Sequence, residues 1–458
     1  MEKINNQLQT FTIYSDEIKE RLDPSFYIFP ELKISNLTPI KKFAEVQGGF
    51  AFKSNKYQQD YGVPLVRIQN IKNNEIDLSE TVYIHEKYLN RLENFLLNDK
   101  DILIAMTGAT IGKIGRIDQE NLPAFLNQRV GKFEVNKNKI NPDYLFYILQ
   151  FNFFADQVKR LSLGGSQPNI SPKSIEEIKI PLPPLPTQTK IVSIMQKAYR
   201  KKKEKEEKAK KLLESIDDYV LGELGIKMPV IKKKMVFEVA SDKVENSRID
   251  AQYWQPFLKK IASAINNGNY KSQKLKNYIT KIHYGASTSN AYTDDGISFL
   301  RILNLKPNHL DLSEVVYLPE NFRKKLGNAF VKAGDLLISR SGTVGVVSVV
   351  PKEADEFAFG SFMIKFCLND EINKEFVSIW LNNKLNKLLT EREKIGAIQG
   401  NITIGTIENF DIPLPSLPIQ IKIAQKVKSI YSQAQQLKNQ ANNNLQTAKK
   451  KAEEIILG

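Results

Sequence analysis

The chain has 458 residues and 41% apolar content, enough for two or three folded domains with sizeable cores. Its formal net charge of +15 favours a polyanionic partner, with nucleic acid preferred over an anionic membrane surface. A single cysteine excludes an intramolecular disulfide, three scattered histidines argue against a metal site, and the absence of a long apolar run predicts a cytoplasmic protein with no membrane partner.

Short strands and polar loops are predicted along the first part of the chain. Residues 42–52 predict a strand that runs into a glycine-containing loop, and residues 63–71 alternate apolar and polar side chains as a strand does. Residues 101–104 predict a buried strand, which is followed by a loop with two glycines over 107–112. A single helix is predicted over 141–160, because a proline stands in its first turn.

The same elements recur later in the chain. Arg67 recurs 234 residues later as Arg301, within two strands of similar pattern, and the Asp-Leu-Ser-Glu sequence of 77–80 recurs unchanged at 311–314. A self-match at this distance is too long for a solenoid unit and indicates a duplicated domain.

A proline-rich segment ends each repeat. Ile180-Pro-Leu-Pro-Pro-Leu-Pro-Thr-Gln-Thr-Lys-Ile191 matches Ile412-Pro-Leu-Pro-Ser-Leu-Pro-Ile-Gln-Ile-Lys-Ile423 at nine of twelve positions, 232 residues later. Each segment leads into a long lysine-rich run with helical spacing. The order is therefore domain–helix–domain–helix. The predicted parts are a first domain over 1–180, a helical segment over 181–228, a second domain over 229–411 and a helical segment over 412–458.

The first long run carries seam residues that alternate by four and three, as in a coiled coil, and the second nearly keeps this pattern, with one skip at Leu445. Each seam is too thin to stabilise a lone helix, so the two helices are expected to pack antiparallel against each other. The basic run over 200–211 is either a solvated face or a phosphate-facing surface, and the sequence leaves both open. The predicted seam positions are Ile191, Met195, Ala198, Lys202, Lys205, Ala209, Leu212, Ile216 and Tyr219 in the first helix, and Ile423, Val427, Ile430, Ala434, Leu437, Ala441, Leu445, Ala448, Ala452 and Ile455 in the second.

Two segments resemble catalytic motifs, but each lacks a feature that the motif requires. Residues 108–113 resemble a phosphate-binding loop, but one residue is missing between the glycines and Ile114 stands where a Ser or Thr would bind Mg²⁺. Residues 141–144, Asn-Pro-Asp-Tyr, lack the second proline of the Asn-Pro-Pro-Tyr loop of amino-methyltransferases. The chain therefore reads as a binding protein.

The repeated proline-rich segments, together with the Gly-x-x-Gln-x-Asn-Ile loops at 164–170 and 396–402, resemble the DNA specificity (S) subunits of type I restriction–modification systems. The resemblance covers essentially the whole chain. Thr187 and Ile419 stand where the family often has glutamate, which affects only an expected local capping contact.

The resemblance implies an α+β protein with two duplicated α/β target-recognition domains, joined by two long antiparallel coiled-coil helices with pseudo-twofold symmetry. It implies a non-catalytic reader of double-stranded DNA with a bipartite, non-palindromic site. The implied partners are two methyltransferase subunits and helicase–nuclease subunits, which would carry S-adenosylmethionine, ATP and Mg²⁺, while this chain binds no cofactor. The alternatives are a recognition subunit of the same architecture in another defence assembly, and a DNA methyltransferase or nuclease with an unrecognised site.

Base-reading side chains are predicted in the polar loops, because the loops differ between the repeats while the strands do not; residues 53–60 and 287–294, for example, share little. Loops also drift without functional cause. Arg67, Arg301, Gln167 and Gln399 occur in both repeats and are expected to hold the DNA backbone or the scaffold. The candidate DNA-contacting residues are Lys53, Ser54, Lys56, Tyr57, Arg67, Thr110, Lys113, Gln128 and Arg129 in the first domain, and Ser287, Thr288, Ser289, Asn290, Arg301, Arg340, Thr343 and Ser361 in the second.

Overall fold

The computed structural model describes residues 37–72, 74–162, 168–244, 248–288, 292–394 and 400–457, together with residues 12, 14, 18, 26 and 27. The chain forms two compact units. The first unit comprises residues 1–204 and 440–458, and the second comprises residues 205–439.

The first unit combines a mixed sheet with short helices. A six-stranded sheet has the order β2-β10-β7-β8-β5-β4, a three-stranded sheet has the order β6-β3-β9, and β1 pairs with β11. The strands are β1 (Leu37–Pro39), β2 (Ala44–Gly48), β3 (Val63–Val66), β4 (Ile71–Lys72), β5 (Glu75–Ile76), β6 (Val82–Ile84), β7 (Ile102–Ala105), β8 (Ile114–Arg116), β9 (Phe125–Leu126), β10 (Val130–Val135) and β11 (Lys179–Pro181). The helices are α1 (Pro142–Ile148), α2 (Asn152–Leu161), α3 (Pro172–Glu176) and α4 (Leu185–Glu223), the last of which ends in the second unit.

The second unit repeats this plan. Its main sheet has the order β13-β21-β18-β19, its three-stranded sheet has the order β17-β14-β20, and β12 pairs with β22 and β15 with β16. The strands are β12 (Ser272–Lys274), β13 (Ile279–Tyr284), β14 (Ile297–Leu300), β15 (Leu305–Lys306), β16 (His309–Leu310), β17 (Val316–Leu318), β18 (Leu336–Ser339), β19 (Val347–Val349), β20 (Ala358–Phe359), β21 (Met363–Leu368) and β22 (Asp411–Pro413). The helices are α5 (Ser241–Val244), α6 (Pro256–Asn266), α7 (Arg323–Leu326), α8 (Lys374–Asn382), α9 (Lys384–Arg392), α10 (Ile404–Glu408) and α11 (Leu417–Leu457), the last of which ends in the first unit.

The central strand of each main sheet is buried on both faces. In β7, Ile102 and Ile104 lie in a core with the helices, while Leu103 and Ala105 lie in a separate core. Successive side chains of a strand point to opposite faces, so a strand covered on both sides reads as a continuous apolar run. The predicted buried strand is confirmed, and β18 repeats the arrangement.

The helix predicted over 141–160 is wrong as a single element. The structure has α1 and α2 instead, separated at Phe151, whose φ of −84° and ψ of 152° are extended. Phe151 is 2% exposed within the core, and the neighbouring Gln150 accepts a hydrogen bond from the Tyr199 hydroxyl of α4 at 2.5 Å. Packing therefore interrupts a helix that the apolar pattern alone continues. The strand predicted over 63–71 also ends earlier, at Val66.

The predicted seams are confirmed in α4 and α11. In the first unit, Ile191 and Met195 of α4 share a core with Ala452 of α11; in the second unit, Ile216 near the end of α4 shares a core with Ile423 near the start of α11. The two helices therefore run antiparallel. The seam positions Lys202 and Lys205 are half-buried, and Ala209 and Ala441 are both 0% exposed.

The glutamine of each proline-rich segment makes the same pair of hydrogen bonds in both units. Gln188 is 1% exposed; its Oε1 accepts from the Asn141 backbone N–H at 2.9 Å, and its Nε2 donates to the Pro183 carbonyl at 2.8 Å. In the second unit, Gln420 makes the same pair of bonds with Asn373 and Pro415, at 2.8 Å each. Each glutamine thus ties the first turn of a long helix to the proline loop and to the start of a domain helix.

One position beside the seam differs in charge between the helices. Asp217 of α4 accepts from the Asn383 side chain at 2.9 Å, next to the first turn of α9, and burial raises the pKa of its carboxyl group. Lys449 of α11, 232 residues later, approaches the Gln150 carbonyl at 3.4 Å just beyond the end of α1, and burial lowers the pKa of its ammonium group. Asp217 has the sign that stabilises the start of α9, and Lys449 has the sign that suits a carbonyl acceptor.

Candidate nucleic-acid interface

Four loops of the first unit meet where β2, β3, β7 and β9 end. The Gln128 N–H donates to the Phe50 carbonyl at 3.0 Å, the Asn127 N–H donates to the Val66 carbonyl at 3.1 Å, and the Met106 N–H donates to the Arg129 carbonyl at 2.9 Å. We define these loops, residues 49–58, 67–70, 106–113 and 127–129, as the first loop cluster.

The second unit has a matching second loop cluster, defined as residues 285–288, 292–293, 301–304, 340–346 and 360–362. The Ser361 N–H donates to the Ala286 carbonyl at 2.9 Å, the Gly360 N–H donates to the Leu300 carbonyl at 3.0 Å, and the Arg340 N–H donates to the Phe362 carbonyl at 2.9 Å. These bonds reproduce those of the first cluster one for one, so each loop has an assigned counterpart.

A glycine allows the loops to approach each other in both clusters. A Cβ atom built on Gly49 would lie 2.4 Å from the Asn127 carbonyl oxygen, and one built on Gly285 would lie 2.2 Å from the Gly360 carbonyl oxygen. Backbone on both sides leaves no room for a side chain, so glycine is required at this crossing.

The residues predicted for the first domain all lie in the first loop cluster. Lys53, Ser54, Lys56, Lys113, Gln128 and Arg129 are exposed. Thr110 is half-buried, and its hydroxyl has no hydrogen-bond partner among the described residues. Tyr57 lies beside Arg67, whose guanidinium centre is 5.8 Å from the ring centroid.

Most residues predicted for the second domain lie in the second loop cluster. Ser287 and Thr343 are exposed, and Thr288, Arg340 and Ser361 are half-buried. Ser289, Asn290, Gln167 and Gln399 lie outside the described residues.

Arg67 and Arg301 occupy equivalent places and are held in the same way. The backbone N–H of each donates to an asparagine side chain three residues later, Asn70 at 2.9 Å and Asn304 at 2.8 Å. The Nε atom of each is buried without a partner in the part of the chain that the structure describes. Arg301 also donates from Nη2 to the Glu314 carbonyl at 3.0 Å, so one edge of its guanidinium holds the scaffold.

The repeated Asp-Leu-Ser-Glu sequence supports these arginines. Asn70 donates to the Asp77 carbonyl at 2.9 Å, and the Ser79 N–H donates to the Asp77 carboxylate at 2.9 Å. Hydrogen bonds from Ser79 lower the pKa of the Asp77 carboxyl group, and hydrogen bonds from Ser313 lower that of Asp311. The motif is therefore a turn that fixes the segment after the arginine.

The sequence analysis missed three aromatic residues in or directly beside the second loop cluster. Tyr292 lies beneath Arg301 at 5.8 Å, the distance found between Tyr57 and Arg67, so the loops that share little sequence do share this pair. A shift of one residue in loop length hid the match. Tyr284 and Phe362 are 43% and 49% exposed, and only strand register identifies their counterparts.

The described residues contain no group of three or more His, Cys, Asp and Glu side chains that could hold a metal ion. Over the same ranges, no helix is both long and apolar enough to cross a membrane.

A family model described as the type I restriction modification DNA specificity domain matches residues 36–215 and again residues 254–447. The specificity subunit of the type I restriction enzyme EcoKI from Escherichia coli K12 is 23% identical over 420 residues, which cover 89% of this chain and 84% of that protein. A putative type I restriction enzyme MjaX specificity subunit from Methanocaldococcus jannaschii is 27% identical over 438 residues, which cover 90% of each protein.

The MjaVIII specificity subunit of the same archaeon is 32% identical over 197 residues, which cover 41% of this chain and 46% of that protein. A chain from a solved structure on complex assembly and conformational transition of a type I restriction–modification system aligns with a TM-score of 0.51 and 16% identity. The alignment covers 93% of this chain and 98% of that one, and it supports the fold.

Proposed function

Because the chain belongs to the type I restriction–modification DNA specificity family, whose domain matches it twice, we propose that its two loop clusters read the two halves of a bipartite, non-palindromic DNA site. The chain is a DNA-recognition subunit of a type I system rather than a catalytic one.

The observation that carries the proposal is one backbone framework with two sets of side chains. The hydrogen bonds between loops are the same in both clusters. The first cluster presents lysines at positions 53, 56 and 113 and Arg129, whereas the second presents hydroxyl groups at positions 287, 288, 343 and 361 and Arg340. Base edges in the major groove differ in donors, acceptors and methyl groups, so two such sets select two different sequences.

The proposed partners rest on membership of the family. Two methyltransferase subunits would bind this chain and methylate one adenine in each half-site, with S-adenosylmethionine on those subunits. Base flipping is needed for that chemistry, because the target atom is inaccessible inside the duplex. Helicase–nuclease subunits, which would carry ATP and Mg²⁺, would join for restriction.

The experiment is a selection from random double-stranded DNA, with the chain co-purified with a methyltransferase subunit encoded beside it. We expect two short defined sequences separated by an undefined gap, and not related by twofold symmetry. A single continuous motif would contradict the bipartite reading. Cleavage of DNA or binding of S-adenosylmethionine by the chain alone would instead favour an enzyme, and the lack of a neighbouring methyltransferase gene would favour another defence assembly.

Affinity for the selected site is expected to fall steeply with salt. Lysine and arginine contacts to phosphates release counterions, and about six such contacts reduce the binding constant by roughly 10³-fold between 0.05 and 0.2 M salt. Fluorescence anisotropy over this range measures the slope, and an unchanged affinity would refute an electrostatic interface.

Arg67 and Arg301 allow phosphate contacts to be tested separately from base contacts, since phosphate contacts are expected to recur in both halves. The double substitution Arg67→Gln and Arg301→Gln should reduce the salt slope by about two, one for each lost phosphate contact, without changing the selected sequence. A changed base preference would make these arginines base readers instead.

A further inference from the structure

We infer that the second loop cluster reads a guanine through Arg340, and that Tyr284 positions the Arg340 guanidinium for this contact. The inference rests on the proposed function, because it assigns a base and a reader to the second half-site.

Arg340 is fixed through its backbone. It directly follows the buried strand β18; its N–H donates to the Phe362 carbonyl at 2.9 Å, and its carbonyl accepts from the Ile402 N–H at 3.0 Å. The side chain therefore leaves the sheet from a defined point in the second loop cluster.

The guanidinium of Arg340 lies against an aromatic ring. Its centre is 4.8 Å from the ring centroid of Tyr284, the last residue of β13. Nε is buried without a hydrogen-bond partner, and within the described ranges no hydrogen bond or ion pair to the rest of the guanidinium is found. A cation over a ring gains some of the energy lost on desolvation, but the N–H donors still need an acceptor.

A guanine supplies the acceptor geometry that this arrangement lacks. The planar guanidinium presents paired donors in a fixed fork, and the O6 and N7 atoms of guanine form the matching pair of acceptors in the major groove. An aromatic ring that contacts the cation restricts its rotamers, so less conformational entropy is lost on binding.

A phosphate could also accept a fork of donors, but the comparison of the two clusters argues against it. Phosphates are the same in every sequence, so their contacts should recur in both halves, as Arg67 and Arg301 do. At the place of Arg340 the first cluster has Met106, which is 5% exposed, because Met106 and Arg340 donate to equivalent carbonyls. The position differs between the halves, which favours a base contact over a phosphate contact.

The counterpart of Tyr284 also differs. Tyr284 pairs with Ile364 in the sheet, and the residue at this register in the first unit is Gly48, which pairs with Gly131. The first cluster thus has neither the arginine nor its platform. Tyr284 and Arg340 are present together in one half and absent together from the other.

The test compares the sequences selected by variant complexes of the chain with its methyltransferase subunit. The unmodified complex should require guanine at one position of the second half-site. Arg340→Gln and Arg340→Lys should each reduce discrimination for that guanine by about 10-fold to 100-fold, and the first half-site should stay unchanged. Arg340→Lys keeps the charge and the aliphatic chain, so it should fold and keep the salt slope while losing the fork.

Tyr284 is tested as a positioning residue. Tyr284→Ala should weaken discrimination at the same guanine position, and Tyr284→Phe, which keeps the ring, should restore it. Uniform weakening across all sequences with a smaller salt slope would make Arg340 a phosphate contact, and a preference for a base other than guanine, or no change in Arg340→Lys, would overturn the inference. If the unmodified complex selects no bipartite site, the proposed function itself fails, which is a separate result.

Discussion

Replacing Gln188 by alanine is expected to lower the free energy of unfolding of the first unit by about 2–6 kcal/mol. The substitution leaves the Asn141 N–H without its acceptor and the Pro183 carbonyl without its donor, in a place that is 1% open to solvent. Each buried group left unsatisfied costs about 1–3 kcal/mol. Hydrogen exchange followed by mass spectrometry should show lost protection over 141–148 and at the start of α4.

Two further variants test whether the effect of Gln188→Ala is due to its buried hydrogen bonds. Gln196 lies on the same helix but is exposed, and among the described residues it donates to the Asp143 carboxylate alone, at 3.2 Å. Gln196→Ala should therefore change stability by less than about 0.5 kcal/mol. Gln420→Ala should repeat the large effect in the second unit only. Equal protection in Gln188→Ala and Gln196→Ala would show that the buried bonds do not hold the helix start.

Deleting one heptad from the middle of each long helix is expected to move the two recognised half-sites closer without altering either. The helices contain 39 and 41 residues, and seven residues account for about 10.5 Å of helix, or roughly three base pairs of DNA. A heptad restores the seam after almost two full turns, so both helices can still pack.

Methylome sequencing of cells that express the shortened chain with its methyltransferase subunit measures the spacer directly. Methylation at the original spacing should disappear, and methylation at the shorter spacing should appear with unchanged half-sites. A deletion of seven residues from one helix alone is the control, because the two seams then no longer match and methylation should be lost at both spacings. New half-site sequences would contradict the model in which helix length sets the spacing.

The parts of the fold that follow from local pattern were predicted from the sequence. The alternation by four and three predicted both long helices and their antiparallel pairing, including the half-buried Lys202 and Lys205. The continuous apolar run at 102–104 predicted a strand covered on both faces. The break at Phe151 was not predictable, because the contact beside it joins Gln150 to Tyr199, a residue distant in the chain.

In the candidate interface too, features that depend on local pattern were predicted and features that depend on distant contacts were not. The glycine-containing loops indicated where side chains would gather, and the structure places the described candidates in two clusters. Tyr292 was missed because its loop is one residue shorter than that of the first repeat, and Tyr284 was missed because its partner Arg340 follows a different strand. Strand register and loop length are set by packing between distant segments, and a single sequence does not display them.

The opposite charges at Asp217 and Lys449 make the two duplicated halves chemically different. A molecule assembled from two copies of the first half would place an aspartate against the Gln150 carbonyl oxygen, where two acceptors repel. One assembled from two copies of the second half would place a lysine at the first turn of α9, against a positive helix end. The halves are therefore complementary rather than interchangeable. Recombination that exchanges whole recognition domains between related chains must carry this pair of charges with the correct partners, or the product would assemble with mismatched ends.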